Sequence, residues 1–173
     1  MKYYTGNGDE GLTDLTRKRV KKDNKMIEFI GTLDELNAFL GYSISKIKYD
    51  DVKSILKNIE TQVYKINAIA SGYSDYVKKP IEFKKEDITQ IEESIDKFSK
   101  QTKLLLKFIY PNGDEAACLI NICRVIARRA ERQYVRAKGN NKIILSYINR
   151  LSSLLFVLFR TVNDRSGFKE ETF

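Results

Sequence analysis

With 173 residues, 42% of them hydrophobic and 31% charged, the chain is long and apolar enough to bury the core of a single domain, residues 1–173. Lys and Arg together number 31 against 23 Asp and Glu, and the resulting net charge of +8 favours anionic partners such as nucleotides, nucleic acid or a membrane surface. The chain contains no histidine, which excludes a histidine-based catalytic triad.

The first residues are polar and contain no apolar segment of the signal-peptide type. The longest apolar stretch, near residues 154–159, is far too short to cross a membrane. We therefore expect a cytoplasmic protein that does not bind membranes. Cys118 and Cys123 lie five positions apart on one predicted helix and point roughly 140° away from each other, so we expect two free core cysteines.

Five helices are predicted after an N-terminal arm, residues 1–26, which is polar, rich in Gly and Lys and without an apolar stripe. The arm is either an ordered binding element or a floppy tail. A capping box, Thr32 with Glu35, predicts the start of the first helix. Apolar residues at helical spacing predict further helices at 51–71, 85–100, 112–138 and 142–164.

The apolar run 104–111 ends at a proline, and no partner strand is visible for it, so we interpret it as a buried connection. Amphipathic helices joined by short links predict an all-α fold, a five-helix up-and-down bundle.

The arm contains a glycine motif that points to phosphate binding. Gly6, Gly8 and Gly11 satisfy G-x-G-x-x-G, but neither a strand before the motif nor an apolar helix after it supports a dinucleotide fold. A glycine-rich main chain can still approach phosphates closely, with polar side chains at Thr5, Asp9 and Thr13. An unstructured glycine-rich terminus explains the same residues.

Arginines recur every fourth residue on the fourth helix, at Arg124, Arg128, Arg132 and Arg136, and so line one side of it. The chain has 21 Lys and only 10 Arg, yet five of the ten arginines fall within 124–136. This bias indicates that the helix needs arginine itself and not only a positive charge. The guanidinium fork grips phosphate or carboxylate with two hydrogen bonds, which indicates polyphosphate binding. The alternative is a solvated helix face with salt bridges worth about 0–1 kcal/mol each.

Asn149 and Arg150 interrupt the otherwise apolar fifth helix. An amide at this position can bind an adenine edge or a ribose, and an arginine there needs a partner. A polar position at the edge of the core is an equally good interpretation of both residues.

Taken together, these segments resemble the PduO-like ATP:cob(I)alamin adenosyltransferase family. The resemblance covers nearly the whole chain, and its motifs occur in the family's order. They are Thr-Gly-x-Gly-Asp-x-Gly-x-Thr at 5–13, Arg-Val at 19–20, Lys-Asp at 22–23, Gly-Thr-Leu-Asp-Glu-Leu-Asn at 31–37, Phe-Ile-Tyr-Pro at 108–111, the run 124–132 ending Arg-Arg-Ala-Glu-Arg, and Asn-Arg-Leu-Ser at 149–152.

The resemblance implies a five-helix bundle assembled as a homotrimer, with ATP bound between neighbouring subunits and the arm ordered around the triphosphate. Mg²⁺ would bridge the phosphates of ATP, and no protein side chain is assigned as its ligand. The nucleotide-binding residues implied by the resemblance are Thr5, Gly6, Asn7, Gly8, Asp9, Gly11, Thr13, Lys22, Arg128, Arg129, Glu131, Arg132 and Asn149.

The same resemblance implies the catalytic and corrinoid-binding residues. Phe108 would lie beneath the corrin and keep the lower axial ligand off the cobalt, and Asp34 would pair with Arg124 across the subunit interface. Arg128 is the fourth implied catalytic residue. Arg150 and Ser153 would lie near the corrinoid, although the family often has Asp where this chain has Ser153.

The implied chemistry joins an ATP molecule and a cobalamin molecule. Removing the axial ligands gives four-coordinate cob(II), which is easier to reduce, and the resulting cob(I) attacks C5′ of ATP and expels triphosphate. The protein would position the substrates, stabilise the leaving triphosphate and exclude water. A reductase and an adenosylcobalamin-dependent enzyme are the expected protein partners.

Two alternatives belong to other classes of protein. A basic helical nucleic-acid-binding protein fits the charge, although the sequence has no helix-turn-helix signature and the glycine motif would be unexplained; we expect no nucleic-acid partner. A non-catalytic carrier of ATP and corrinoid would use the same residues without turnover.

Overall fold

The first helix begins earlier than the sequence predicts. In a computed structural model, which describes residues 2–16, 18–105 and 107–173, helix α1 spans Lys25–Lys46, and the side chain of Asn24 caps it by accepting from the amide of Met26 at 2.8 Å. Thr32 lies inside the helix, buried, and donates to the carbonyl of Glu28. The predicted capping box at Thr32 is therefore wrong, because Asn24 is an equally good cap and the apolar face already begins at Phe29.

The other four predicted helices are confirmed with boundaries that differ by at most three residues. They are α2 (Asp50–Ala70), α3 (Lys85–Ser99), α4 (Glu115–Arg136) and α5 (Lys142–Arg165). Asp114 caps α4 and Asn141 caps α5 through their side-chain oxygens. A short 3-10 turn, Tyr73–Tyr76, follows α2.

The five helices share one core, in which α1 packs between α2 and α4, while α5 packs between α4 and α3. Contacts between the helices show that their direction alternates along the chain. The largest fully buried side chains include Phe29, Phe98 and Phe159, so three different helices contribute to the centre of the core. This arrangement places one edge of α4 beside one edge of α5, where the candidate site lies.

The connection between α3 and α4 is not buried as predicted. Leu104 and Phe108 are 86% and 84% exposed. The segment also has a partner, because Ile109 forms an antiparallel bridge with Thr172 near the other end of the chain. A bridge of one residue pair leaves no alternating pattern, which explains why the sequence did not reveal it.

Helix α5 is, within 2–16, 18–105 and 107–173, the one helix long and apolar enough by length and composition to cross a membrane. Half of its apolar window is buried inside the bundle, where Leu151, Leu155 and Leu158 reach the core. Its longest uninterrupted apolar stretch, near residues 154–159, is much shorter than the helix. Its composition is that of a helix with core-facing residues along its whole length.

Both cysteines are free, as predicted, and Cys123 is fully buried. Burial raises the pKa of the Cys123 thiol to about 12, so the thiol is protonated at neutral pH. Cys118 is only partly buried, and burial again raises its pKa.

Gly113 occupies a position that only glycine fits. Its φ is +139°, and a Cβ built there would lie 2.0 Å from Oδ1 of Asn163, a fully buried residue. That same oxygen accepts from the amide of Asp114 at 3.0 Å, so Asn163 cannot move away without breaking the connection into α4.

We expect Gly113→Ala to lower the free energy of unfolding by at least about 2 kcal/mol, because it combines backbone strain with a steric clash. Urea denaturation followed by circular dichroism measures the change. Gly41→Ala is the matched control, since its added methyl group meets only Glu60 Oε1 at 3.7 Å within a helix and should stabilise slightly. Equal stability of the two variants would contradict the assignment.

Candidate functional site

A cavity of about 650 Å³ lies where the α3–α4 connection meets α4 and α5. Its volume suits an organic ligand of substantial size. One wall is aliphatic and aromatic, and another carries two arginines. The lining residues are Leu105, Phe108, Ile109, Arg124, Arg128, Ser152, Ser153, Phe156 and Val157.

The two arginines form a cationic wall. Nε of Arg124 donates to Oδ1 of Asn121 at 2.7 Å, and its guanidinium carbon lies 5.7 Å from the centroid of the Phe156 ring. Burial, and then the charge of Arg128, lower the pKa of Arg124. The described lining residues include no carboxylate, so an incoming anion would offset two adjacent positive charges.

Phe108 presents its ring at this cavity from the exposed side. It belongs to the segment that connects α3 and α4, while the arginines belong to α4 and Ser153 belongs to α5. An aromatic ring that is 84% exposed in the free chain gains apolar contact when a flat ligand covers it. The cavity thus brings together four residues predicted for the site: Phe108, Arg124, Arg128 and Ser153.

A chain of polar side chains extends the cavity by one helical turn. Nδ2 of Asn149 donates to Oε1 of Glu131 at 2.9 Å, and Oδ1 of Asn149 accepts from Arg150 at 2.8 Å. Arg150 also donates to Glu92 on α3 at 3.0 Å. Because Glu131 follows Arg128 by three residues, this chain lies beside the cationic wall. The structure therefore joins Asn149 and Glu131, although Arg150 faces α3 through its ion pair.

Three other predicted site residues take different positions within the chain. Arg132 is exposed and donates to the carbonyl of Arg128 at 3.0 Å. Arg129 forms an ion pair with Glu35 on α1. Asp34 accepts from Nδ2 of Asn67 at 2.6 Å. Arg129 and Asp34 therefore contact neighbouring helices rather than the cavity wall.

The N-terminal arm is an ordered hairpin, β1 (Leu12–Leu15) paired antiparallel with β2 (Lys18–Lys21). Gly6 and Gly11 have positive φ and close the two turns that precede it. Thr16 fixes the hairpin to the bundle, because its amide and hydroxyl both donate to the carbonyl of Ser71. Of the two interpretations of the arm, the ordered element is the one observed.

The glycine motif lies beside a cation from the end of the hairpin. A Cβ built at Gly8 would lie 3.0 Å from Nζ of Lys22, and the amide of Lys22 donates to the carbonyl of Gly11 at 2.8 Å. The side chain of Arg19 donates to the carbonyl of Asn7. Lys22, which the resemblance implies together with Thr5–Thr13, thus lies next to the glycine motif of the arm.

Within residues 2–16, 18–105 and 107–173, no hydrogen bond or ion pair connects the arm to the arginine face of α4. The arm contacts the end of α2 instead, through Thr16. The same part of the chain contains no group of three or more Cys, Asp or Glu side chains positioned to hold a metal ion. The glycine-containing arm and the cationic cavity are therefore two separate surfaces of the described chain.

Comparison with known proteins relates these surfaces to a family. The family model described as cobalamin adenosyltransferase matches residues 3–162, a span that includes both the arm and the cavity. This chain belongs to the cobalamin adenosyltransferase family.

Curated relatives in this cobalamin adenosyltransferase family come from distant organisms. The corrinoid adenosyltransferase of Bacillus subtilis is 36% identical over 177 residues, which cover 96% of this chain and 89% of that protein. Human corrinoid adenosyltransferase MMAB is 30% identical, with 99% of this chain and 73% of that protein covered. Corrinoid adenosyltransferase PduO of Citrobacter freundii is 36% identical over 165 residues. This match covers 92% of this chain and 49% of that protein.

Solved structures of the cobalamin adenosyltransferase family share the fold. A variant PduO-type ATP:corrinoid adenosyltransferase from Lactobacillus reuteri, complexed with cobalamin and ATP, has a TM-score of 0.90 and 28% identity. The alignment covers 99% of this chain and 96% of that chain. A second variant from the same organism, complexed with ATP, gives 0.89 and 29%.

Sequence reasoning missed several residues that shape the cavity of this cobalamin adenosyltransferase family member. Asn121 and Phe156 hold Arg124 from two sides, and Asn121 precedes Arg124 by three residues, a helical spacing that could have identified it. Nothing in the apolar pattern of α5 distinguishes Phe156 from the core residues of that helix. The contact of the α3–α4 connection with Thr172 joins distant parts of the chain and leaves no local signal.

Proposed function

We propose that this protein transfers the 5′-deoxyadenosyl group of ATP to the cobalt of a reduced corrinoid, forming adenosylcobalamin and releasing triphosphate. The observation that carries the proposal is the cavity of about 650 Å³, whose lining combines an exposed aromatic ring, Phe108, with a cationic wall, Arg124 and Arg128. A corrin ring is flat and largely apolar at its face, and the triphosphate of ATP is strongly anionic. One cavity therefore offers a suitable surface to each substrate.

The reaction is a nucleophilic displacement. The electron pair of cob(I) forms the bond between cobalt and C5′ while the bond between C5′ and the triphosphate oxygen breaks, so triphosphate leaves with that electron pair. Negative charge develops on the leaving oxygen, and a preorganised guanidinium stabilises it. Arg128 is the residue that we assign to this role, since it faces the cavity and has no carboxylate partner among the described lining residues.

The nucleoside end of ATP is assigned to Glu131 and Asn149, whose side chains are already joined by a hydrogen bond of 2.9 Å. Their carboxylate and amide groups supply acceptors and donors for ribose hydroxyls and an adenine edge. Arg132 is exposed one residue further along α4 and can turn toward phosphates. Ser153 and Arg150 are assigned to the corrinoid side.

A homotrimer would bring the two phosphate-binding surfaces together. No hydrogen bond or ion pair connects the described residues of the arm, residues 1–26, to the arginines of α4 in the same chain, so the arm would close over ATP bound to a neighbouring copy. The arm residues assigned to the triphosphate are Thr5, Gly6, Asn7, Gly8, Asp9, Gly11, Thr13 and Lys22. Asp34 would meet Arg124 of that neighbour, where its carboxylate would offset the charge of the cationic wall. Arg129, by contrast, would act through its ion pair with Glu35.

Mg²⁺ is assigned to the phosphate oxygens of ATP. Mg²⁺ keeps several waters and commonly binds through substrate phosphates rather than a cage of protein ligands. The donor set fits this mode, because the described residues include no cluster of three acidic or thiol side chains that would serve as a cage. We further propose a soluble cytoplasmic enzyme that receives electrons from a reductase and delivers its product to an adenosylcobalamin-dependent enzyme.

The test is direct. The purified chain is incubated with ATP, Mg²⁺ and chemically reduced cobalamin, and we expect the absorption spectrum of adenosylcobalamin to develop together with one equivalent of triphosphate. No product with reduced cobalamin, in spite of bound ATP, would favour a carrier. Tight, salt-dependent binding of DNA or RNA without ATP preference would favour the nucleic-acid alternative.

A further inference from the structure

The last residues of the chain hold the segment that carries Phe108. The amide of Tyr110 donates to the carbonyl of Glu171 at 3.0 Å, and the amide of Phe173 donates to the carbonyl of Phe108 at 2.9 Å. These two bonds flank the bridge between Ile109 and Thr172. We call residues 168–173 the C-terminal strap.

Side chains strengthen the same contact. The rings of Tyr110 and Phe173 meet edge to face, with 6.4 Å between their centroids. Nδ2 of Asn112 lies 3.4 Å from Oε2 of Glu171. The strap therefore contacts the segment 108–112 through its main chain and through two side chains, on the side that continues into α4.

A buried arginine anchors the strap to the bundle. Arg160 on α5 is 7% exposed, and its Nε and Nη2 donate to the two carboxylate oxygens of Glu170 at 2.7 and 2.8 Å. Nη2 of Arg160 also donates to the carbonyl of Lys103, near the start of the α3–α4 connection that carries Phe108. A bidentate pair fixes direction as well as distance. One guanidinium thus sets both the strap and the base of the segment relative to α5.

The turn into the strap is fixed as well. The amide of Phe168 donates to the carbonyl of Asn163, and the side chain of Asn163 bonds to the carbonyl of Asn112 at 3.0 Å. Asn163 is fully buried. The same residue therefore holds the start of the strap and the end of the segment that carries Phe108.

We infer that the C-terminal strap is a positioning element for the corrinoid: it sets the height of Phe108 at the cavity, with the Arg160–Glu170 pair as its anchor. This inference rests on the proposed function. Phe108 is highly exposed, so contacts of its own ring do not fix it, and the backbone bonds at Phe108 and Tyr110 lead to the strap. Phe108 is the group that touches the corrinoid, and the strap acts through it.

The decisive variant is the chain shortened by Glu171, Thr172 and Phe173. It removes both backbone bonds but leaves Glu170 paired with Arg160, so no charge is left buried without a partner. Lys169→Ala is the matched control, since it changes an exposed side chain of the strap and keeps every bond described above.

Two measurements are made on each chain. Hydrogen exchange without substrates reports the amide of Tyr110, which donates to Glu171, and we expect it to exchange at least about tenfold faster in the shortened chain. Optical spectra with cob(II)alamin and ATP report the four-coordinate species, whose fraction we expect to fall about tenfold because a misplaced ring no longer excludes the axial ligand. The KM for ATP should stay within about twofold of wild type, since nucleotide contacts are unchanged.

The variants Phe173→Pro and Phe173→Ala refine the test in the full chain. Both remove the ring, but only proline also removes the amide that donates to Phe108. We expect the proline variant to show the larger loss of the four-coordinate species.

Unchanged exchange of the Tyr110 amide in the shortened chain would overturn the strap. Faster exchange with an undiminished four-coordinate fraction would overturn its positioning role, as would an equal loss of ATP and corrinoid binding. Failure of the proposed function is recognised separately, because the wild-type chain would then form no adenosylcobalamin while its exchange pattern would still report the strap.

Discussion

Replacing Arg128 by alanine should lower the rate of adenosyl transfer by about 100-fold or more, because the leaving triphosphate loses a charged hydrogen-bond donor in the transition state. Arg128 lines the cavity beside Arg124, and its charge already contributes to the lowered pKa of that residue. The loss should therefore appear mainly in kcat, with a smaller rise in the KM for ATP. Steady-state kinetics with chemically reduced cobalamin measure both.

Arg136→Ala is the matched control for this prediction. Arg136 is exposed two helical turns beyond Arg128 and outside the cavity lining, so its removal takes away the same charge from the same helix. We expect its rate to stay within about threefold of wild type, because an exposed charge acts only through a screened field. Equal losses in the two variants would show that the general positive charge matters rather than the placement of Arg128, and a wild-type rate in Arg128→Ala would refute the assignment.

Arg128→Lys separates charge from geometry. Lysine keeps the positive charge but cannot make the two parallel hydrogen bonds of a guanidinium. We expect an intermediate rate, above that of the alanine variant and below wild type. This result would show that the site needs a guanidinium and not only a positive charge. It would also explain why a lysine-rich chain has half of its arginines on one helix.

The helices were predictable because each carries its own signal. Apolar residues at helical spacing predicted the four later helices to within three residues, and the structure adds Asp114 and Asn141 as the caps of α4 and α5. The start of α1 was missed because two segments compete as caps, and Asn24 caps the helix eight residues before Thr32. A local sequence signal does not show which of two possible N-caps starts the helix when the apolar face extends past both.

The hairpin of the arm was missed for a different reason. Its strands have four residues each, and most of their side chains are charged or only partly buried, so no alternation of apolar and polar residues marks them. What stabilises the hairpin is a contact distant in sequence, between Thr16 and Ser71. The C-terminal strap was missed likewise, because Glu170 and Arg160 meet only once the chain has turned at the end of α5.

The candidate site likewise combines residues that local sequence patterns predict with a residue whose position depends on distant parts of the chain. Arg124, Arg128 and Glu131 follow from helical spacing, and the structure places them along one edge of α4. The contribution of Phe108 to the same cavity depends on the path of the α3–α4 connection, which no local pattern specifies. The apolar run predicted a buried connection, whereas its exposure leaves the ring of Phe108 accessible to a ligand.

Replacing Phe108 by alanine should leave ATP binding intact while reducing the four-coordinate cob(II) species by about tenfold or more. The ring is the group proposed to occupy the space of the lower axial ligand, and a methyl group leaves room for water or the base of the corrinoid. The ATP contacts proposed for Arg128, Glu131 and Asn149 lie on other elements and are unchanged. Optical spectra of cob(II)alamin with the enzyme and ATP measure the species, and calorimetry measures ATP affinity.

Leu104→Ala supplies the control, because Leu104 belongs to the same connection, is as exposed as Phe108 and lies outside the cavity lining. If loss of any large apolar side chain from the connection is enough, both variants will lose the four-coordinate species; if the ring itself displaces the ligand, only Phe108→Ala will.

A further distinction comes from the cobalt oxidation state. Once cobalamin is supplied as cob(I), which needs no lower ligand, transfer by Phe108→Ala should recover to within about tenfold of wild type, whereas Arg128→Ala should remain impaired, because expulsion of triphosphate is still required. Recovery of both variants, or of neither, would contradict this separation of roles between the aromatic and the cationic wall.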